Sequence, residues 1–319
     1  MVFSLLNGLM DLLTTALTGI FFPIFLGILV RRGNYISVKS RPVLQQFATR
    51  VAIPALIFSS LSRIDGATAG QFLPMSTGLF LFMGLAWTLL WGLIHILQKK
   101  FQWVKHHRSE LLLMSFTGNL SYICWQLHDL IIGPEGLQRG IFYTALYWPF
   151  LLIFSFLTIA VFGLKQEKTL NKRELLYNVV PVLVFMAGGL TVGISGVKIP
   201  LWLDSFISGF GNMAIPMILF GIGLSLTFGK SLTTAKSLIP YLFLRLLVWI
   251  GVTFVLTRLP WFDGPSRTVL MINALAPFGV NPIIVGDMFG MDTEFMANST
   301  VISTVLFLFF IPIIFFLWA

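Results

Sequence analysis

Ala276-Pro277-Phe278-Gly279-Val280-Asn281-Pro282 stands in the middle of an apolar segment. Two prolines and a glycine in so short a stretch cannot remain continuous α-helix, because each proline lacks a backbone donor and its ring clashes with the turn before it. The helix must break there. In hydrocarbon a break survives only where the freed N–H and C=O groups are buried in protein or line a cavity. A broken helix at mid-membrane is therefore a candidate binding site. In the first half of the chain Ser115-Phe116-Thr117-Gly118-Asn119-Leu120-Ser121 carries the same Phe-x-x-Asn spacing, with Phe116 and Asn119 against Phe278 and Asn281.

Around these two stretches the chain is apolar almost throughout. Its 319 residues are 57% hydrophobic and only 10% charged, with a mean hydropathy of +0.90, where soluble domains carry about 25% charged residues. This is the composition of an integral membrane protein. Apolar runs of about 20 residues, each able to cross roughly 30 Å of hydrocarbon as a helix, recur ten times along the sequence. The alternating strands of a membrane barrel are absent. The expected fold is an all-α polytopic membrane protein of ten transmembrane helices. The first run lacks a basic leader and carries Asp11, so it reads as a mature helix rather than a cleaved signal.

A net charge of +9 could suggest nucleic acid, but the basic residues fall in alternate loops. Arg31, Arg32, Lys39, Arg41 and Arg50, then Lys99, Lys100, Lys105 and Arg108, then Lys165, Lys168, Lys172 and Arg173, then Lys230 and Lys236 share one side. Arg63, Arg139, Lys198, Arg258 and Arg267 are opposite. The positive-inside bias makes the larger group cytoplasmic and both termini non-cytoplasmic. Nucleic acid is not the expected partner; the lipid bilayer is. The single Cys124 has no intramolecular partner. There is no Walker loop, zincin helix or Cys/His cluster, so neither an enzyme, a cofactor nor a metal site is expected.

The pattern restarts half-way. Ala52-Ile53-Pro54-Ala55-Leu56-Ile57-Phe58 in helix two is echoed by Ala214-Ile215-Pro216-Met217-Ile218-Leu219-Phe220 in helix seven, and Pro23 in helix one by Pro181 in helix six. Asn119 and Asn281 are separated by the same number of residues as Pro54 and Pro216. Residues 1–165 thus read as one five-helix repeat and 172–319 as a second. Five is odd, so the second repeat enters the membrane from the opposite side. Inverted repeats with broken helices at the midplane are characteristic of secondary transporters.

The candidate site follows from these breaks. Asn119 and Asn281, with Gly118, Pro277, Gly279 and Pro282, form two crossing half-helices whose N-termini, each about half a positive charge, favour an anion. The competing reading has the prolines only kink helices and the asparagines satisfy freed carbonyls. Arg245, near the middle of helix eight, must face protein or water, where it either complements an acidic substrate or pairs structurally. Tyr143 and Tyr147 are four residues apart and so share a helix face, where they either line the cavity or pack. Asp129 and Asp287 are candidates for coupling to protons, with surface placement as the alternative.

These motifs resemble the auxin efflux carrier family, which includes bacterial organic-acid permeases and the plant PIN and PIN-like proteins. The residues that carry the resemblance are Arg31-Arg32-Gly33, the 52–59 segment, Gly118-Asn119, Pro216 through Gly221-Ile222-Gly223-Leu224-Ser225-Leu226, and the Ala276 to Pro282 crossover. The resemblance implies a scaffold of helices 1, 2, 6 and 7 that dimerises, a mobile transport domain of helices 3–5 and 8–10, and a small organic anion held at Asn119 and Asn281 near Tyr143 and Tyr147. It also implies a compact bacterial member in the inner (plasma) membrane, with elevator-type alternating access. Sodium-coupled carriers of the bile-acid symporter type share the ten-helix crossover design, and a non-transporting receptor is the alternative from another class. The proline usual after the span-four asparagine is replaced by Ser121-Tyr122-Ile123-Cys124-Trp125, so the first crossover is expected to be less sharply broken than the second.

Overall fold

The structure is a computed structural model that describes residues 18–19, 22–37, 40–121, 123–164, 172–225 and 231–318; within these, side chains at 41–42, 172–179, 225, 231–234, 288 and 311–318 are not described. The start of the first expected helix with Asp11, the basic residues Lys39, Lys165, Lys168 and Lys230, Tyr122, Leu226 and Ala319 lie outside these residues, as does the expected boundary between the repeats. The described chain is all-helical. Its helices are α1 (Phe22–Arg32), α2 (Arg41–Phe47), α3 (Ile53–Leu61), α4 (Gly66–Leu97), α5 (Gln102–His106), α6 (Arg108–Ser115), α7 (Cys124–Ile132) and α8 (Pro134–Thr144). They continue with α9 (Tyr147–Phe162), α10 (Lys172–Ser195), α11 (Leu201–Ser225), α12 (Ser231–Leu256), α13 (Gly264–Ala274), α14 (Asn281–Met288) and α15 (Thr293–Trp318).

Among the described residues, five helical stretches are long and apolar enough to cross a membrane: Gly66–Leu97, Pro134–Phe162, Leu201–Leu224, Ala235–Leu256 and Thr293–Phe310. Other expected spans are interrupted for reasons written in the sequence. Both crossover spans are broken, α6 from α7 and α13 from α14. Between α2 and α3 the chain makes a π-helical turn, Ala48–Ala52, ending where the Ile53 N–H reaches the Ala48 carbonyl. Pro54 has no N–H for the Arg50 carbonyl and its ring crowds that carbonyl, so the ladder widens by one residue just before it. The expected Pro54 kink therefore takes the form of a π turn.

Pro149 acts in the same way on the fifth span. Its ring opposes the Ala145 carbonyl, and the helix is interrupted at Ala145-Leu146, between α8 and α9.

Two packed groups result. In one, α11 lies along α1 and α3, and α10 lies along α3. Their backbones approach closely at Gly27 and Gly223: a Cβ on Gly27 would collide with the Phe220 carbonyl, and one on Gly223 with the Ile24 carbonyl. Small residues at a helix crossing are how membrane helices gain contact without a hydrophobic drive between them. Arg31 Nη1 closes this group by donating to the Leu224 carbonyl at 3.2 Å. In the other group α4 packs on α6, α8 and α12; α8 packs on α7; and α12 packs on α13 and α15. Its core includes Phe72, Phe82, Phe116, Trp249 and Phe278.

Candidate functional site

The two breaks, entered after Ser115 and after Ala274, touch. The Asn119 N–H donates to the Pro277 carbonyl at 2.9 Å. A Cβ on Gly118 would lie 2.6 Å from Trp249 Cη2 and 3.2 Å from Ala276 Cβ, and one on Gly279 would lie 3.0 Å from the Gly118 carbonyl oxygen. The first break is thus not milder than the second, contrary to the expectation from its missing proline. Side chains rather than a proline hold it open, since α12 supplies partners for the carbonyls that the break frees.

Those partners are Arg245 and Trp249. Arg245 Nε donates to the Ser115 carbonyl at 3.2 Å, Nη1 to the Ala276 carbonyl at 2.9 Å and Nη2 to the Thr117 carbonyl at 2.9 Å. Trp249 Nε1 donates to the Ser115 carbonyl at 2.8 Å. The guanidinium lies 3.7 Å from the Trp249 ring centroid and 4.8 Å from that of Phe278. A helix C-terminus concentrates unpaired carbonyls and partial negative charge. Arg245, only 3% exposed, answers those of α6 and α13 together. Of the two readings open in the sequence, the geometry matches the structural one, and Arg245 does not line the large cavity described next.

That cavity, of about 440 Å³, lies between the two packed groups. From the first group come Gln45, Gln46, Thr49, Arg50, Ile53, Ile57, Val182, Met186 and Ile222. From the second come Asn119, Ser121, Trp125, Thr144, Tyr147, Trp148, Asn281, Asn298, Thr300 and Thr304, with apolar neighbours such as Ile141 and Ile284. Among the described residues that line it none is Asp or Glu, and Arg50 is the one Lys or Arg. Ser121 and Trp125 at the N-terminal end of α7, and Val280, Asn281, Ile283 and Ile284 at that of α14, line it. The half-helix ends are therefore sorted: negative ends on Arg245, positive ends on the cavity.

Asn119 and Asn281 both line this space. Asn119 is 3% exposed, yet neither its Oδ1 nor its Nδ2 has a hydrogen-bond partner. Gly118, Pro277, Gly279 and Pro282 shape the crossing without lining the cavity. The tyrosines part company, because the interruption at Ala145-Leu146 removes the shared helix face. Tyr147 lines the cavity, whereas Tyr143 is 1% exposed and packs in the core near Gly78. Asp129 and Asp287 are exposed and are not brought to the cavity. Sequence reasoning missed Arg50, which it counted only as a cytoplasmic loop charge, and Thr300, Thr304 and Asn298 on α15; Pro54 four residues after Arg50 was the available signal for a distorted, inward-turned segment.

A family profile described as "Membrane transport protein" matches residues 170–315. The second half of the chain is thus similar to that family. The resemblance to auxin efflux carriers, drawn from its motifs, is to this same family. The chain is also similar to two archaeal proteins each named as an uncharacterized transporter. One, from Methanocaldococcus jannaschii, is 24% identical over 273 residues, covering 82% of this chain and 84% of the relative. The other, from Methanothermobacter thermautotrophicus, is 23% identical over 306 residues, covering 91% and 93%. The chain is thus an integral membrane transporter.

Proposed function

We propose that this transporter is a secondary carrier of a small organic anion, a carboxylate, and that it works by alternating access. The observation that carries the proposal is the Asn119 amide, buried and unpartnered at the crossing of two helix breaks, on the wall of a cavity with no acidic residue among the described residues that line it. A buried amide left unpaired costs about 1–3 kcal/mol, a cost offset when a ligand supplies the missing partners. The volume falls in the range of small-molecule sites, roughly 300–1,000 Å³. Half-helix N-termini supply a positive potential for the anionic end, and Trp125, Trp148 and Ile141 supply apolar surface for its body.

The cavity separates two groups that are each well packed internally, which is the geometry an elevator movement needs. The α1, α2–α3, α10 and α11 group acts as scaffold, and the group holding both crossovers carries the ligand. The two breaks, with one asparagine each on one cavity, support the inverted-repeat reading. Gln45, Gln46 and Arg50 follow the basic 31–41 segment, so by the positive-inside assignment the cavity is on the cytoplasmic side and the state is inward-facing. The test is counterflow in reconstituted vesicles: exchange of a labelled carboxylate in sodium-free buffer supports the proposal. Exchange that requires sodium would instead place the protein with sodium-coupled carriers, and saturable binding without exchange would make it a receptor.

A further inference from the structure

Asn119 and Asn281 cannot by themselves select an anion. A carboxamide both donates and accepts, so it pairs as well with a neutral amide as with a carboxylate. The half-helix N-termini add only partial positive charge, and a full one comes from Arg50, the one Lys or Arg among the described residues that line the cavity. Its position is not that of an ordinary helix residue. It lies in the π-helical turn Ala48–Ala52 set up by Pro54, and π turns of this kind occur frequently at functional sites. Gln45, Gln46 and Thr49 of the same segment line the cavity with it.

We propose that Arg50 is the residue that reads the ligand's negative charge. The ligand is then a small monocarboxylate bridging the two packed groups, its carboxylate paired by the Arg50 guanidinium and its remaining polar edge by Asn119 and Asn281. Guanidinium matches a carboxylate in a planar, two-bond geometry that an ammonium cannot reproduce. Because Arg50 is on the group of α2 and α3 while the asparagines are on the crossover group, relative movement separates the charge from its partner. Charge recognition therefore belongs to this arrangement of the groups, and affinity for the anion falls when they shift. This assignment rests on the cavity being the ligand site.

The test uses the full-length protein in detergent and a panel of acids with their primary amides: benzoate and benzamide, phenylacetate and phenylacetamide, hexanoate and hexanamide. For at least one pair the acid should bind more tightly than the amide, by the roughly 10- to 150-fold of a charge-assisted bond. Arg50→Gln should remove most of that preference, bringing the acid close to the affinity of its amide, and leave the amide within about twofold, with Arg50→Lys intermediate. Asn119→Ala should weaken acid and amide alike. Arg50→Gln retaining the preference, or weakening both ligands equally, would overturn the role of Arg50 while the site stands. A wild-type protein binding no acid of the panel would overturn both readings. If Asn119→Ala changes neither affinity while Arg50→Gln abolishes the preference, the crossover reading fails and the Arg50 assignment holds. Unliganded melting temperatures measured alongside identify a variant that has lost its fold, and Arg50→Lys then decides the outcome.

Discussion

The backbone N–H of Asn119 donates to the carbonyl of Pro277 over 2.9 Å, so main chain joins the two helix breaks while the Asn119 side chain has no partner at all. Structure and binding are thereby divided between two parts of one residue. The N–H, with Arg245 and Trp249, fixes the crossing; the amide is available to a ligand. Truncating the amide leaves the first role untouched.

The tightness of the crossing gives the first prediction. Gly118→Ala places a methyl 2.6 Å from Trp249 Cη2, and overpacking of this kind costs about 1–3 kcal/mol. Detergent melting should fall clearly for Gly118→Ala. Gly251→Ala on α12, where an added Cβ meets nothing within 4 Å, should leave it unchanged or slightly raised.

Arg245 should behave as a structural residue. Arg245→Gln strands the carbonyls of Thr117 and Ala276, at about 1–3 kcal/mol for each that stays unpaired, while the Ser115 carbonyl keeps its bond from Trp249. Lysine restores charge without the fork that serves three acceptors, so Arg245→Lys should recover only part of the loss. Melting temperature is the readout; a stable Arg245→Gln protein with selectively lost ligand affinity would return Arg245 to the binding site.

At the end of the carrier group opposite the basic loops, Arg139 Nη1 donates to Asp263 at 2.7 Å and also to Ser266, while Asp263 accepts from the Ser266 N–H and so caps α13. Burial raises the Asp263 pKa, but the Ser266 bonds and the Arg139 charge outweigh it and hold the carboxyl below its ordinary value. The sign follows: the folded pKa lies below the unfolded one, so this contribution is complete above about pH 4 and is lost as pH falls through the folded value. Asp263→Asn keeps a capping oxygen and removes the charge. It should flatten the acid limb of the melting curve below about pH 4 and matter least once pH has fallen below the folded value.

Topology is tested by fusion. A reporter after Ala319 should behave as non-cytoplasmic and one inserted at Lys168 as cytoplasmic, as the distribution of basic residues requires. The opposite result at Ala319 would change the number of spans and remove the basis for an inverted repeat.

Much of this was legible because membrane helices tolerate so little. Pro277, Gly279 and Pro282 in hydrocarbon announce a break, and Asn119 and Asn281 at matching positions place the pair. What was not legible depends on neighbours distant in sequence. Nothing local tells that Arg245 meets carbonyls at Ser115, Thr117 and Ala276, or that these make a proline near Asn119 unnecessary. Tyr143 and Tyr147 have the spacing of one helix face, but Pro149 acts back upon the Ala145 carbonyl and divides them. Arg50 reads as a loop charge until Pro54 is seen to widen the preceding turn.

The central claim is that a ligand is held between Asn119 and Asn281. Its most direct measurement is carboxylate affinity beside unliganded melting temperature for Asn119→Ala and Asn281→Ala. Each substitution removes a group that both donates and accepts, and should weaken binding by about 5- to 150-fold, the equivalent of roughly 1–3 kcal/mol. Melting should hold or rise in Asn119→Ala, because the amide it removes is buried without a partner. Unchanged affinity in both variants, or a fall in melting temperature large enough to account for the lost binding, would contradict the claim and return these asparagines to helix packing.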